Sequence, residues 1–179
     1  MNNSIAAWVL ALGIASSIAI KATGHDRLSG SVEELGPIKV GAVAPDMTVN
    51  GLDGAPFSLS SFRGKGTLLE FGATWCGPCR ASLRPLRELA EQSFSKAVAV
   101  ASIHVSEDRA DVQQHYSARN YGKITVLVDE AGNSTRVFGV RAFPTLVLLD
   151  AEGIVRMIQV GAVNDMATVR RRIEAMVEP

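Results

Sequence analysis

The stretch Trp75-Cys76-Gly77-Pro78-Cys79 sits between two segments of different periodicity, and that junction constrains the fold more than any other part of the chain. Ahead of it, Thr67-Leu68-Leu69-Glu70-Phe71 is an apolar run of strand type. After it, Leu83, Leu86 and Ala90 recur at helical spacing, with Arg80, Arg84, Arg87 and Glu91 largely off their face. The chain's two cysteines therefore fall where a buried strand gives way to a helix. Helix N-terminal N–H groups and the helix dipole favour an anion there, and thiol pKa values in such settings fall to about 3.5–7.5. Cys76 is expected to be the attacking thiolate, and Cys79, one turn deeper, the shielded thiol that resolves a mixed disulfide. Pro78 suits the first helical turn, where its missing N–H costs nothing.

Structural uses of the pair fit less well. A disulfide this short closes almost no loop and contributes little entropic stabilisation. A zinc site needs more ligands, and His25, His104 and His115 are not at ligand spacing from the pair. No metal site and no cofactor is expected. With 18 basic and 18 acidic side chains the chain has no net charge that recommends a nucleic-acid partner.

Glu70 is the most informative residue outside the cysteines. It interrupts a run that otherwise reads as a strand buried on both faces of a parallel sheet, where an unpaired carboxylate is expensive and its pKa rises. One reading puts it beneath the active-site helix, taking the proton from Cys79. The other makes it a strand-end carboxylate open to water and paired with Lys65 or an arginine.

The chain opens on an uncharged, mostly apolar run, residues 5–20, which as a helix extends about 24 Å against a hydrocarbon core of about 30 Å. Residues 1–23 read as a membrane anchor in preference to a signal peptide, and 24–39 as a polar tether. The folded domain spans 40–179, about 140 residues and enough for one well-buried core. Met47-Thr48-Val49 and Phe57-Ser58-Leu59 bracket the Asp53-Gly54 turn as a small β-hairpin. Pro85 should kink or end the first part of the helix after the cysteines. Arg80, Arg84 and Arg87 share a face that either attracts an acidic partner or is simply solvated.

Further on, Ala97–Val105 and Ile124–Val128 read as strands and Asp108–Arg119 as a helix. His104 reads as a packed or edge histidine, neither ligand nor base. Pro144 at the mouth of the strand Leu146–Asp150 marks either strand initiation or a cis bond that leaves a backbone edge open. Ile154–Val160 returns antiparallel. Asn164 is placed to cap a last helix that turns Met166, Val169, Ile173 and Met176 inward.

The order hairpin, strand, CxxC helix, strand, helix, strand, short helix, X-Pro strand, strand, helix resembles the thioredoxin fold. More closely, it resembles the membrane-tethered thiol-disulfide oxidoreductases of the cytochrome c maturation and redoxin type. The residues that carry the likeness are Gly41 through Asp46 (a GxxAPD opening, with Met47 for the usual Phe), Asp53-Gly54 and Trp75 through Arg80. They continue with Asp129, Phe138-Gly139-Val140, Phe143-Pro144-Thr145, Asp150 and Gly153. The cytochrome-maturation type commonly has a glutamate three residues after the second cysteine and a proline two later, where this chain has Ser82 and Arg84.

The resemblance implies an α/β fold, a central mixed β-sheet flanked by helices, with an N-terminal β-hairpin extension and an N-terminal hydrophobic helix. It implies that Pro144 is cis beside Cys76, that the Phe143 backbone pairs with the substrate chain, and that Glu70 takes the place of the buried acid of thioredoxin. Catalytic roles fall to Cys76, Cys79 and Glu70, and substrate contacts to Trp75, Gly77, Pro78, Phe143, Pro144 and Thr145. The expected partners are a disulfide-containing protein substrate, an upstream thiol reductant and the membrane. The expected placement is a bacterial inner membrane with the domain on the periplasmic side, although Lys21 and Arg27 after the apolar run pull the other way under the positive-inside rule. Two other functions stand beside a protein-disulfide reductase. One is a redoxin-type peroxidase, against which the CxxC argues; the other is a non-catalytic module that delivers Cu(I) or another soft metal.

Overall fold

The computed structural model describes residues 38–92, 98–119, 121–161 and 166–177. The apolar run 5–20, nearly all of the tether and Asn164 lie outside the described residues, and among the described residues no helix is long and apolar enough to cross a membrane.

The elements are β1 (Thr48–Gly51), β2 (Pro56–Ser58), a 3-10 turn (Leu59–Phe62), β3 (Gly66–Gly72), α1 (Gly77–Ala90), β4 (Val98–Val105) and α2 (Arg109–Ser117). There follow β5 (Thr125–Asp129), α3 (Asn133–Val137), β6 (Thr145–Leu149), β7 (Val155–Val160) and α4 (Met166–Val177). The strands form one seven-stranded mixed sheet in the order β2-β1-β5-β4-β3-β6-β7. β3 pairs parallel with β4 and antiparallel with β6, and all its residues are buried, as its nearly unbroken apolar sequence requires. β1 and β2 pair antiparallel, Thr48 opposite Ser58, around the Asp53-Gly54 turn. A mixed sheet with flanking helices is the α/β arrangement the resemblance implies.

Side-chain alternation along β3 and β4 sorts the core into two layers. Leu68, Val98 and Val100 join Leu86 and Leu89 of α1, Val112 and Tyr116 of α2, and Val169 and Ile173 of α4 on one face. Leu69, Phe71, Ala101, Ile103 and Val105 join Met47, Val49, Phe138 and Val140 on the other. Each fully buried Leu or Phe contributes on the order of 1.5–3 kcal/mol. Alternation also fixes the polar residues of these strands: Glu70, Ser102 and His104 share the face of Leu68 and Val100, the face that α1 and α2 cover.

Two local expectations change. α1 continues through Pro85 to Ala90 instead of ending there. Its buried line is Cys79, Ser82, Leu86, Leu89 and Ala90, with Leu83 only half-buried, because a straight 3.6-residue period rolls the stripe towards Leu89. In α4, Val169 and Ile173 are buried and Met166 and Met176 pack against them from the margin.

Candidate active site

β3 ends at Gly72, and four residues later Cys76 caps the N-terminus of α1, a fourteen-residue helix with Pro78 in its first turn. The Cys76 and Cys79 sulfurs form a disulfide, their Cα atoms 5.2 Å apart. The backbone N–H of Cys79 donates to Cys76 Sγ at 3.1 Å, so the sulfur occupies the place a capping oxygen takes in other helices. Exposure does not separate the pair, since each residue is 5% exposed. Their surroundings do. Cys76 lines an open groove of about 480 Å³ with Trp75, Gly77, Pro78, Thr135, Val140, Arg141, Ala142 and Phe143. Cys79 borders a small recess beneath the helix, about 10 Å³ in volume, shared with Glu70, Gly72, Ser102, His104 and Tyr116. That is space for about one water.

Glu70 is 1% exposed in the middle of β3, not at a strand end, and among the described residues neither Lys65 nor an arginine pairs with it. Ser102 Oγ, directly across the β3–β4 ladder, donates to Oε2 at 2.9 Å, and Oε1 has no hydrogen-bond partner among the described residues. Burial outweighs the Ser102 hydrogen bond and pushes the carboxyl up to about 7.

Gly72 separates this carboxyl from the cysteine. A Cβ there would lie 3.0 Å from Cys79 Sγ and 3.8 Å from Glu70 Oε1. Gly72→Ala is therefore expected to destabilise the oxidised protein by about 1–3 kcal/mol through overpacking, because Cys79 is held by both helix and disulfide and cannot give way. Guanidinium unfolding checks this, and an unchanged midpoint would mean that Cys79 gives way to the added methyl.

A second carboxylate, not anticipated from sequence, braces the same loop. Ser106 takes a left-handed φ of 57°, turning the chain sharply at the end of β4. Glu107, the next residue, accepts from the Thr74 N–H at 2.8 Å, from the Thr74 hydroxyl, and faces His104 Nδ1 at 2.9 Å. His104 Nε2 and Tyr116 Oη are 2.6 Å apart, and Tyr116 Oη lies 3.4 Å from Ser102 Oγ. Burial tends to raise the Glu107 pKa, but the hydrogen bonds from His104 and Thr74 more than offset it and hold the group below the ordinary carboxylate range. The signal for this cluster was present: Ser102 and His104 interrupt Ala97–Val105 at period two, as Glu70 interrupts β3.

The expected substrate-facing residues divide. Trp75, Gly77, Pro78 and Phe143 line the groove, with Trp75 68% exposed and its ring 5.9 Å from that of Phe143. Pro144 and Thr145 are buried behind the wall. The Phe143–Pro144 bond is cis, Pro144 O accepts from Gly161 N at 2.8 Å, and Thr145 Oγ1 donates to Ala142 O at 2.7 Å. These two residues shape the wall without lining it. Thr135 of α3 and Val140, Arg141 and Ala142 of the loop after it also reach the groove, which no periodicity in the sequence reveals. In the arginine row, Arg80 donates to Thr74 O and Arg84 pairs with Glu88 on the exposed side of α1.

Comparison with known proteins agrees with this geometry. The Redoxin family model matches residues 39–174. Thiol-disulfide oxidoreductase ResA of Geobacillus thermodenitrificans is 28% identical over 148 residues, 82% of this chain and 84% of that one. The thioredoxin-like protein YneN of Bacillus subtilis is 33% identical over 135 residues, 75% of this chain and 78% of its own. A solved Chlorobium tepidum structure, assigned as a thiol:disulfide interchange protein DsbE, superimposes with a TM-score of 0.73 at 28% identity, over 79% of this chain and 99% of that one. With a dithiol pair at the strand-to-helix junction and this kinship over most of its length, the chain belongs to the Redoxin family and is a thiol-disulfide oxidoreductase with a thioredoxin-like fold.

Proposed function

We propose that the protein works as a reductant of protein disulfides. Thiolate Cys76 attacks a substrate disulfide lying in the groove of Trp75, Gly77, Pro78 and Phe143, with Pro144 and Thr145 fixing the wall. Cys79 then attacks Cys76 Sγ, releases the reduced substrate and leaves the intramolecular disulfide, its proton passing to Glu70 across the small cavity. An upstream thiol donor restores the dithiol. The observation that carries this reading is that the two sulfurs face different spaces: Cys76 the large groove, Cys79 the small recess that holds a carboxyl pushed up to about 7. A proton acceptor of that strength is matched to neutral pH.

Reduction, as against oxidation, is supported by the Gly77-Pro78 dipeptide, which resembles that of thioredoxin. The reading includes an anchor at 1–23, a tether at 24–39 and a redox domain at 40–179 on the periplasmic side of a bacterial inner membrane. Ser82, where the cytochrome-maturation type has glutamate, is buried and donates to Pro78 O at 3.2 Å. We therefore infer a range of protein disulfides as substrates, with those of cytochrome c maturation as one among them.

A redox titration of the Cys76–Cys79 couple tests the direction. A potential near the reducing end, about −270 mV, is expected, whereas a value near −120 mV would make the protein an oxidant. Protease protection in spheroplasts tests the sidedness. Exposed Trp75 supplies a third expectation: Trp75→Ala raises KM for insulin reduction roughly tenfold, as the loss of an aromatic anchor does. It leaves folding stability within about 0.5 kcal/mol, since little of the ring is buried in the core. An unchanged KM would remove Trp75 from the docking surface.

A further inference from the structure

We propose that the proton Glu70 receives from Cys79 is carried off the carboxyl through a hydrogen-bonded relay, Ser102 to Tyr116 to His104, with His104 as the terminal base and Glu107 as its counter-ion. The proposal rests on the reading that Glu70 accepts the Cys79 proton. It answers a difficulty which that reading creates: a carboxyl 1% exposed must shed its proton before the next cycle.

The contacts run without a gap from the middle of β3 to the turn after β4. Glu70 Oε2 is 2.9 Å from Ser102 Oγ, which is 3.4 Å from Tyr116 Oη, which is 2.6 Å from His104 Nε2, whose Nδ1 is 2.9 Å from Glu107 Oε2. Glu70, Ser102, Tyr116 and His104 are buried, and the Glu107 side chain is 7% exposed where β4 turns into the next loop.

Each transfer makes one bond to hydrogen and breaks one. The Cys79 S–H bond breaks as an O–H bond forms on Glu70. Glu70 then protonates Ser102 Oγ, the Ser102 hydroxyl proton passes to Tyr116 Oη, and the Tyr116 proton passes to His104 Nε2. The net products are the Cys79 thiolate, an ionised Glu70 and an imidazolium on His104. No electrons move along the relay. Afterwards every donor points back towards Glu70: imidazolium to phenol, phenol to serine, serine to carboxylate.

His104 sits between two partners of different kind. Here Nδ1 meets a carboxylate, which only accepts, and Nε2 meets a phenol, which does either. The imidazole is thus arranged to hold a proton on Nδ1 and to gain or lose one on Nε2. The hydrogen bonds from His104 and Thr74 that hold Glu107 below the ordinary range keep it charged beside the imidazole. Burial keeps the Tyr116 phenol protonated, so it conducts as a hydroxyl.

The other groups facing the cavity are Cys79 and Arg80 from α1 and His115 from α2, with Tyr121 stacked on Tyr116. His115 does not compete. Its pKa is lowered, first by burial and then by Arg119, and its ring makes no hydrogen bond to the relay.

The test uses the reduced full chain mixed with 5,5′-dithiobis(2-nitrobenzoate) in a stopped-flow. One nitrothiobenzoate is released when Cys76 attacks and a second when Cys79 resolves. Near pH 6, below its pKa of about 7, Glu70 starts protonated and must unload before it can accept. Tyr116→Phe keeps the ring stacked on Tyr121, 3.6 Å away, and His104→Gln removes the base. Both are expected to slow the second release roughly tenfold or more near pH 6, to leave it close to wild type near pH 8.5, and to leave the first release unchanged. A wild-type second release near pH 6 overturns the relay. So does an equal slowing at both pH values, or of both releases together, since those mark a structural role. Glu70→Gln separates the two readings: slow resolution in Glu70→Gln with wild-type behaviour in Tyr116→Phe and His104→Gln removes the relay alone. Normal resolution in Glu70→Gln removes the role of Glu70 and the relay with it.

Discussion

Cys76→Ser is expected to lower protein-disulfide reduction roughly a thousandfold or more, the scale set by loss of a nucleophile, and to yield no covalent substrate adduct. Cys79→Ser is expected to be just as inactive in turnover yet to accumulate a mixed disulfide between Cys76 and the substrate. The asymmetry follows from two features of the site. Cys76 alone lines the open groove, so only its sulfur is placed to meet a disulfide from outside. The donor that stabilises its thiolate is the backbone N–H of residue 79, not that residue's thiol, so it survives the Cys79→Ser substitution. The measurement is a non-reducing gel of each variant after incubation with a disulfide-bonded protein, with the adduct mapped by mass spectrometry. Trapping by both variants to the same extent would show that the two sulfurs are interchangeable and would overturn the assigned roles.

How much of this was legible in the sequence depends on whether local pattern or tertiary contact set each feature. The cysteine pair, its strand-to-helix setting and the burial of Glu70 follow from one continuous stretch, because periodicity changes at Trp75 and an acid stands in an otherwise apolar strand. The mixed sheet required the resemblance, since no spacing in the chain dictates that β6 runs antiparallel beside β3. The groove wall was half legible. Phe143 lines it, but Pro144 and Thr145 turn inwards, and the remaining wall comes from Thr135, Val140, Arg141 and Ala142, whose approach to Cys76 depends on how α3 and the loop after it are placed. His104 was read as a packed or edge histidine, and it is packed, 4% exposed. Its setting between Glu107 and Tyr116, which the left-handed turn at Ser106 and the docking of α2 create, was not legible.

Glu70→Gln is expected to stabilise the oxidised protein near pH 8 by up to about 3 kcal/mol and to do far less near pH 4.5. The carboxyl titrates at about 7 in the fold against a reference of 4.5, a displacement worth roughly 3 kcal/mol. Between those pH values the native protein keeps a proton that the unfolded chain has released. Stability therefore falls as pH rises from about 4.5 to about 7, and above that range the whole cost of ionising a buried carboxyl is carried by the fold. Glutamine has the same shape, still accepts from Ser102 and does not titrate. Whatever its amide costs or gains in the cavity is the same at both pH values and cancels from their difference. Guanidinium unfolding at the two pH values measures it, and an equal change at both would mean that Glu70 is not the group that titrates there. A residue whose removal strengthens the fold at neutral pH has no structural reason to be there, and its position across a one-water gap from Cys79 supplies the chemical one. The same substitution that stabilises the protein should then slow the release of substrate from Cys76, so that stability and turnover move in opposite directions in a single variant.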